Sequence, residues 1–259
     1  MTAIARRRFL RLALGSALPG ALGGCDRLAS SDSFNGMLRK AQFLSQRAQA
    51  LLAGDGAMAQ EFTEDDIADD FRSNGTAMPD SRLYRQLLAG RFRAWRLRVG
   101  GLVARPAQYS LADLQAMPSR TQITRHDCVE GWSVIGKWTG VPLRALLSQV
   151  RPLPAARYVV FHCADPMDGS DVEAPGSTYY ESIDLAEARH PQTILAYALN
   201  DAPLPVKNGA PLRLRVERQL GYKQAKYLMR IDLVERLETI RRGKGGYWED
   251  LGYEWYAGI

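Results

Sequence analysis

Two short segments of the chain combine residue types that can bind metals or transfer protons. His126, Cys128 and Glu130 alternate along the first segment, and His162 and Cys163 are adjacent in the second. Two histidines and two cysteines could satisfy the tetrahedral preference of zinc. Adjacent residues of a strand point to opposite faces, however, so His162 and Cys163 would not both reach one ion. This geometry disfavours a zinc site.

Two other interpretations of the cysteines stay open at this point. A disulfide between Cys128 and Cys163 is plausible outside the cytoplasm and would stabilise the fold by ~2–4 kcal/mol. Alternatively, one thiolate binds a soft, redox-active metal whose remaining ligands come from an organic cofactor. The two segments alone do not decide between a structural and a redox role.

The residues around these segments resemble a known family. Residues 121–147, TQITRHDCVEGWSVIGKWTGVPLRALL, and residues 190–226 resemble the molybdopterin domain of the sulfite oxidase family, with C-V-E-x-W-S and N-G-A-P-L-R-L in that order. The resemblance runs from about residue 71 to residue 259 and is strongest to the small, single-domain bacterial branch that includes periplasmic methionine sulfoxide reductases. It implies an α+β fold with mixed sheets and short helices. It also implies a monomer, because no C-terminal immunoglobulin-like dimerisation domain is expected.

The resemblance also implies a molybdenum–molybdopterin cofactor. Cys128 matches the thiolate that binds molybdenum, and a soft thiolate suits that metal. The positions that match contacts to the pterin or its phosphate are Asn74, Cys163, Asn208, Arg213, Lys223, Gln224, Ala225 and Lys226. Cys163 stands where this branch has threonine, and a thiol is the weaker hydrogen-bond donor. The segment Gly221 to Lys226 lies between two predicted strands, where backbone N–H groups and ammonium charges could surround a phosphate.

A molybdenum centre of this kind moves an oxygen atom in a two-electron step. Glu130, two residues after Cys128 on a predicted strand, would face the same side. A carboxylate there would repel anionic sulfite by about 1–4 kcal/mol at ~4 Å, which favours reduction of a neutral sulfoxide or a related S- or N-oxide, free or in a peptide. Glu130, His126 or His162 could supply the protons that the reduction consumes.

Three functions are therefore compared. The first is S-oxide reduction with electrons from a separate haem protein, either a membrane haem protein or a cytochrome c. The second is sulfite oxidation at the same kind of centre. The third is a cofactor-free, disulfide-stabilised lipoprotein that binds a partner in the cell envelope.

Hydrophobic periodicity indicates the elements that would position these residues. Apolar and cationic residues alternate over 95–99 and 212–216, which predicts half-buried strands, and 227–234 is a third predicted strand. Short helices are predicted at 111–117, capped by Ser110, at 142–150 and at 192–199. Because strands and helices are interspersed without a βαβ rhythm, an α+β fold is expected. Aromatic residues near the C-terminus are expected to cap the core and in part to line a substrate funnel: Tyr247, Trp248, Tyr253, Trp255 and Tyr256.

The first part of the chain has the features of an export signal. Three arginines precede Phe9-Leu10 and an apolar stretch, an order similar to twin-arginine signals, and Leu22-Gly-Gly-Cys25 resembles a lipobox. We therefore expect residues 1–24 to be a signal, residues 25–70 to be a tether with an amphipathic helix over 37–53, and residues 71–259 to form the oxidoreductase domain. A periplasmic protein, acylated at Cys25 and anchored to the inner membrane, would follow.

The charge balance excludes one class of partner. The net charge is +6, and four arginines of residues 1–24 account for 4 of it, which leaves +2 for the rest of the chain. No basic run alternates with stacking aromatic residues, as single-strand binders require. Nucleic acid is therefore not expected as a partner.

Overall fold

The computed structural model describes residues 56–167 and 177–259, together with six residues between 31 and 44. The chain divides into two compact units, Met1–Gly54 and Asp55–Ile259, and the elements and site described below lie in the second. The predicted export signal, Cys25 and most of the predicted amphipathic helix lie outside the described residues. In the part of the chain that is described, no helix is long and apolar enough to cross a membrane.

The second unit consists of strands separated by short helices. In chain order the elements are α1 (Arg82–Ala89), β1 (Leu97–Gly101), β2 (Ala107–Tyr109), α2 (Leu111–Gln115), β3 (Arg120–Asp127), β4 (Ser133–Pro142), α3 (Leu143–Val150), β5 (Tyr158–Pro166), β6 (Thr178–Asp184), α4 (Leu185–Arg189), β7 (Ile194–Leu199), β8 (Ala202–Pro203), β9 (Arg213–Arg215), β10 (Leu228–Val234) and α5 (Tyr247–Asp250). Short 3-10 helices lie at Glu64–Asp66, Val206–Asn208 and Gly221–Lys223. The arrangement is the predicted α+β fold.

The strands form two sheets. The first has the order β2-β1-β10-β5-β6, in which only the β1–β10 pair is parallel. The second has the order β3-β4-β7-β8, and β9 also pairs with β7. The β3–β4 hairpin pairs Asp127 with Ser133, so Cys128 lies in its loop, whereas Cys163 lies within β5 of the other sheet. The two segments singled out in the sequence therefore belong to different sheets.

One hydrophobic core is shared by both sheets and α3. Val141 and Leu195 come from the second sheet, Val159 and Phe161 come from the first, and Leu146 comes from α3. All five side chains are fully buried, and each such burial contributes roughly 1.5–3 kcal/mol of hydrophobic stabilisation. The shared core fixes the hairpin loop of one sheet relative to the strands of the other.

Several predicted elements are confirmed with small shifts of their ends. The strands predicted at 95–99 and 227–234 correspond to β1 and β10. Ser110 caps α2, because its Oγ accepts the N–H of Asp113 at 3.1 Å. The helix predicted at 142–150 is α3, which starts directly after Pro142.

Two local predictions are wrong. The helix predicted at 192–199 is instead strand β7, which pairs with β4 and β9. A short apolar run fits a buried strand as well as a helix, and sheet pairing decides here. Strand β9 is not half-buried either, because Arg213 and Arg215 are fully buried together with the residue between them.

Candidate active site

A cavity of about 740 Å³ opens beside the β3–β4 hairpin. Its walls come from residues 74–76, from the turn at residues 128–130, from the end of β5, from Tyr179 on β6, from the loop at residues 221–226, and from Trp248 and Tyr253 near the C-terminus. Five of the residues predicted for the site line it: Asn74, Cys128, Glu130, Gln224 and Lys226.

Cys128 reaches the cavity because the hairpin turns sharply there. Strand β3 ends one residue earlier, the N–H of Cys128 donates to the carbonyl oxygen of Trp132 at 2.9 Å, and the N–H of Gly131 donates to that of Cys128 at 3.0 Å. Gly131 has a φ of 85°, a conformation that favours glycine. The prediction that Cys128 and Glu130 share a strand face is therefore wrong. The turn nevertheless brings both residues to the cavity wall.

The two functional groups of this turn differ in exposure. Cys128 is 9% exposed, and burial raises the pKa of its thiol. Binding to a metal cation would still keep the sulfur deprotonated. Glu130 is exposed to solvent, and its carboxylate accepts a hydrogen bond from Trp132 Nε1 at 2.9 Å.

The second segment, His162 and Cys163, lies outside the cavity lining. Cys163 is buried in the core, where burial raises the pKa of its thiol, and it does not line the cavity. Both Cys163 and Cys128 are free, so the predicted alternative of a disulfide is wrong. The ring of His162 pairs with Asp232 at 3.0 Å, and the structure does not bring it to the cavity. Among the described residues, no group of three or more His, Cys, Asp and Glu side chains could hold a metal ion, which leaves the zinc interpretation without support.

His126 lies directly behind the cavity wall. Its Nδ1 accepts a hydrogen bond from Arg215 at 3.0 Å, and since a guanidinium can only donate, the ring proton lies on Nε2. Burial, with Arg215 and Arg213 nearby, lowers the pKa of His126 well below its ordinary value. Its Nε2 has no hydrogen-bond partner among the described residues. A Cβ on Gly221 would lie 2.5 Å from this nitrogen, so glycine is required between the imidazole and the cavity.

A layer of buried polar side chains lies beside the cavity with part of its hydrogen-bonding capacity unused. Arg213 donates to the carbonyl oxygens of Asn208 at 2.9 Å and Gln224 at 3.3 Å, and burial lowers its pKa to about 9. Four atoms of this cavity layer have no hydrogen-bond partner among the described residues: Asn74 Oδ1, Asn208 Oδ1, Arg213 Nε and Gln224 Oε1. Leaving such groups unpaired is costly. The three amide oxygens can accept from the N–H groups of a pterin and Arg213 Nε can donate to an anionic group, so the layer fits the expected molybdopterin.

The two predicted lysines have different environments. Lys226 lines the cavity, and its Nζ donates to the carbonyl oxygens of Asn74 at 2.6 Å and Lys207 at 3.1 Å. Burial lowers its pKa to about 7. Lys223 is instead enclosed by Glu181 and Glu249, with Nζ 2.5 Å from Glu249 Oε1, so its ammonium is not free for a phosphate.

Ala225 contributes to the same loop through its backbone. Its carbonyl oxygen accepts the N–H of Leu214 at 2.8 Å, which ties the loop to β9, and its side chain is buried.

Sequence reasoning missed one acidic residue of the cavity. Asp165, near the end of β5, lines the cavity and is 4% exposed. A single acidic residue at the end of the largely apolar strand sequence YVVFHCADP was the available signal. The predicted aromatic funnel has support, since Trp248 and Tyr253 line the cavity and their rings stack at 5.3 Å.

The chain is similar to several known proteins. The family described as the oxidoreductase molybdopterin binding domain matches residues 87–240. A candidate protein-methionine-sulfoxide reductase subunit, YedZ1, of Azospira oryzae is 36% identical over 254 residues, which is 98% of this chain and 88% of that protein. The protein-methionine-sulfoxide reductase catalytic subunit MsrP of Xanthomonas axonopodis pv. citri is 40% identical over 161 residues, or 61% of this chain and 48% of that protein. The sulfane dehydrogenase SoxCD of Paracoccus pantotrophus aligns over 55% of this chain and 38% of that chain, with 22% identity and a TM-score of 0.49.

Proposed function

Because this chain belongs to the oxidoreductase molybdopterin-binding domain family, and is an oxidoreductase that uses the molybdenum cofactor, we propose that it reduces S-oxides. The substrate class is methionine sulfoxide, free or within a protein. Support comes from the names of the relatives, which are protein-methionine-sulfoxide reductase subunits. The cavity that holds Cys128 and Glu130 together is the observation that carries the proposal.

The residues around the cavity suit the cofactor and its chemistry. When bound, the cofactor supplies two-electron oxygen-atom transfer. The Cys128 thiolate would bind molybdenum, and the cavity layer with Lys226 would bind the pterin and its phosphate. The guanidinium of Arg213, which meets no carboxylate at ion-pairing distance in the described part of the chain, suits the dianionic phosphate.

The charge and the aromatic rings of the cavity wall favour a neutral substrate that contains sulfur. Glu130 places a carboxylate at the cavity, which would disfavour anionic sulfite by about 1–4 kcal/mol at ~4 Å. A neutral S-oxide meets no such repulsion. The rings of Tyr222, Trp248 and Tyr253 can contact the thioether-like end of the substrate, and sulfur packs favourably against aromatic rings.

Location and electron supply belong to the same proposal. The arginines and apolar stretch of residues 1–24 support export to the periplasm, and Cys25 supports a lipid anchor. The reduction consumes two electrons per oxygen atom, so a separate haem protein of the membrane or a soluble cytochrome c would supply them.

A dye-linked assay on purified protein of known molybdenum content tests this function. We expect turnover of free and peptidyl methionine sulfoxide with a reduced dye, and little turnover of sulfite with an oxidised dye. Glu130→Gln should raise sulfite turnover relative to S-oxide turnover by at least about 5-fold, since it removes the repulsive charge. Glu238→Gln, an exposed carboxyl outside the cavity, is the matched control. Sulfite turnover that exceeds S-oxide turnover in the unaltered protein would overturn the proposal.

A further inference from the structure

Two acidic side chains of the described residues line the cavity, and their environments differ. Glu130 lies on the exposed turn, whereas Asp165 is buried at the end of β5. Burial raises the pKa of Asp165 to about 7, against smaller opposing effects of its own backbone N–H, Lys226 and Thr76. In enzymes with two carboxyl groups at one site, such differences in environment give the two groups different roles, and the buried group keeps its proton to a higher pH.

The positive charge of Lys226 lowers the pKa of Asp165, but this effect offsets only part of the effect of burial. Lys226 Nζ is held by the carbonyl oxygens of Asn74, Thr76 and Lys207, and the described ion pairs include none between Lys226 and Asp165. Burial lowers the pKa of Lys226 itself to about 7. The carboxyl group and the ammonium therefore do not form a closed ion pair.

The remaining titratable groups around Asp165 come from four other positions and are engaged elsewhere or neutral. Tyr84 of α1 donates to the carbonyl oxygen of Ala210 at 2.7 Å, and Tyr227, just before β10, donates to that of Thr76 at 2.8 Å. Tyr179 of β6 donates to the carbonyl oxygen of Tyr222. Burial raises the pKa of each of these phenols and of the Cys163 thiol on β5, so all four are neutral at pH 7.

One oxygen of the carboxyl group is available to a ligand. Asp165 Oδ1 is buried and has no hydrogen-bond partner among the described residues, while the side chain lines the cavity. A buried carboxylate oxygen without a hydrogen-bond partner is costly, whereas a protonated carboxyl can donate to a substrate oxygen.

We propose that Asp165 is a catalytic acid of this site, which donates a proton to the oxygen atom of the S-oxide. The assignment rests on the proposed function. In the reaction the S–O bond breaks, two electrons come from the reduced enzyme, and two protons convert the oxygen atom into water. Asp165 gives one proton and solvent gives the other, and the carboxylate then regains its proton from solvent through the cavity.

The first test is the pH dependence of turnover. Because the acid must be protonated, kcat for methionine sulfoxide should fall as the pH rises through about 7 in the unaltered enzyme. Asp165→Asn should lower kcat by about 10²–10⁴-fold per molybdenum atom and remove this alkaline limb. Asp165→Glu should keep the limb. Asp184→Asn, the same exchange at the N-cap of α4 where asparagine also caps, should leave kcat and its pH profile unchanged.

An infrared titration tests the proton on Asp165 without turnover. We expect the unaltered holoenzyme to show the carbonyl band of a protonated carboxyl that disappears as the pH rises through about 7. Asp165→Asn should lack this band, and Asp184→Asn should keep it. No such band in the unaltered protein, or unchanged kcat and pH profile in Asp165→Asn, would overturn the assignment. An unaltered enzyme that shows the band but turns over no S-oxide would instead overturn the proposed function.

Discussion

The buried charges of this fold form two groups that differ in their partners. In the first group, Arg215 meets Glu217 and Lys223 meets Glu181 and Glu249, with every side chain at most 1% exposed. The carboxyls of Glu181 and Glu249 also lie within hydrogen-bonding distance of each other, and such a contact requires that they share a proton. Burial and the charge of Glu249 raise the pKa of Glu181. We call these two sets the paired clusters, because the chain itself balances their charges.

The cavity layer is the second group. Arg213 is as deeply buried as Arg215, two residues away on β9, yet it bonds only to backbone carbonyl oxygens. In the same layer, Asn74, Asn208 and Gln224 each keep an unpartnered oxygen. Because burial of unpaired polar groups costs free energy, the paired clusters are expected to serve the fold and the cavity layer is expected to serve a ligand.

The largest effect is expected from Cys128→Ser, because Cys128 belongs to the region that is expected to bind the ligand. Loss of the sulfur should lower molybdenum content and reduce S-oxide turnover by more than about 100-fold. Substitutions of residues that only contact a metal ligand already reduce metal affinity or activity by about 10–100-fold. The melting temperature of the cofactor-free protein should not change, because the residue lies in a hairpin turn. Metal analysis, dye-linked turnover and calorimetry check this. Full activity in the variant would refute the assignment of Cys128.

Lys223→Met tests the paired clusters. The change leaves the carboxyls of Glu181 and Glu249 buried without a cation, which should destabilise the fold by about 3–5 kcal/mol and lower the melting temperature by roughly 10 °C. Lys207→Met is the matched control. Its ammonium pairs with Asp70 at the surface, so its loss should cost less than about 1 kcal/mol. If calorimetry showed equal losses of stability in the two variants, the distinction between the paired clusters and a surface ion pair would be contradicted.

Arg213→Met and Arg215→Met compare the two groups on a single strand. Arg213→Met should lower cofactor content by about 10-fold or more while leaving the cofactor-free protein as stable or slightly more stable, because an unpaired buried charge disappears. Arg215→Met should destabilise the cofactor-free protein, since Glu217 then loses its buried partner. Urea unfolding of cofactor-free samples and molybdenum content of purified samples separate the two outcomes. The comparison fails if both variants lose stability to the same extent.

The elements that could be predicted from the sequence are those that local sequence patterns determine. Strand β10 and the Ser110 cap of α2 follow from neighbours in sequence, and the cysteine of C-V-E-x-W-S does reach the cavity. Strand β7 could not be distinguished from a helix, because its apolar run is short and its partners β4 and β9 are distant in sequence.

The burial and the partners of individual charged residues depend on contacts with residues that are distant in sequence, which local sequence patterns do not predict. Arg213 and Arg215 alternate with apolar residues like solvent-facing cations, and only the loop and Glu217 explain their burial. Lys223 and Lys226 looked equivalent, yet Glu181 and Glu249 enclose the first. The other lysine faces the cavity.

The smallest effect concerns His190, a buried histidine that is fully paired. Its Nε2 lies 3.0 Å from the carbonyl oxygen of Ala57, and its Nδ1 accepts the N–H of Gln192 at 3.2 Å. Burial lowers the pKa of His190 from 6.5 to about 4. Between these values the unfolded chain binds a proton that the folded chain does not, so stability is lost as the pH falls below about 6.5, by at most about 1.4 kcal/mol per pH unit.

His190→Asn isolates this contribution. Urea unfolding of cofactor-free protein should show a weaker acid loss of stability in the variant than in the unaltered chain, and the difference should vanish above about pH 7 because neither state then protonates the ring. His162→Asn, at a ring that pairs with Asp232 near the surface, provides the comparison. A difference that grows with rising pH would mean that His190 is charged in the folded protein. The pairing of its Nδ1 with a backbone donor would then be wrong.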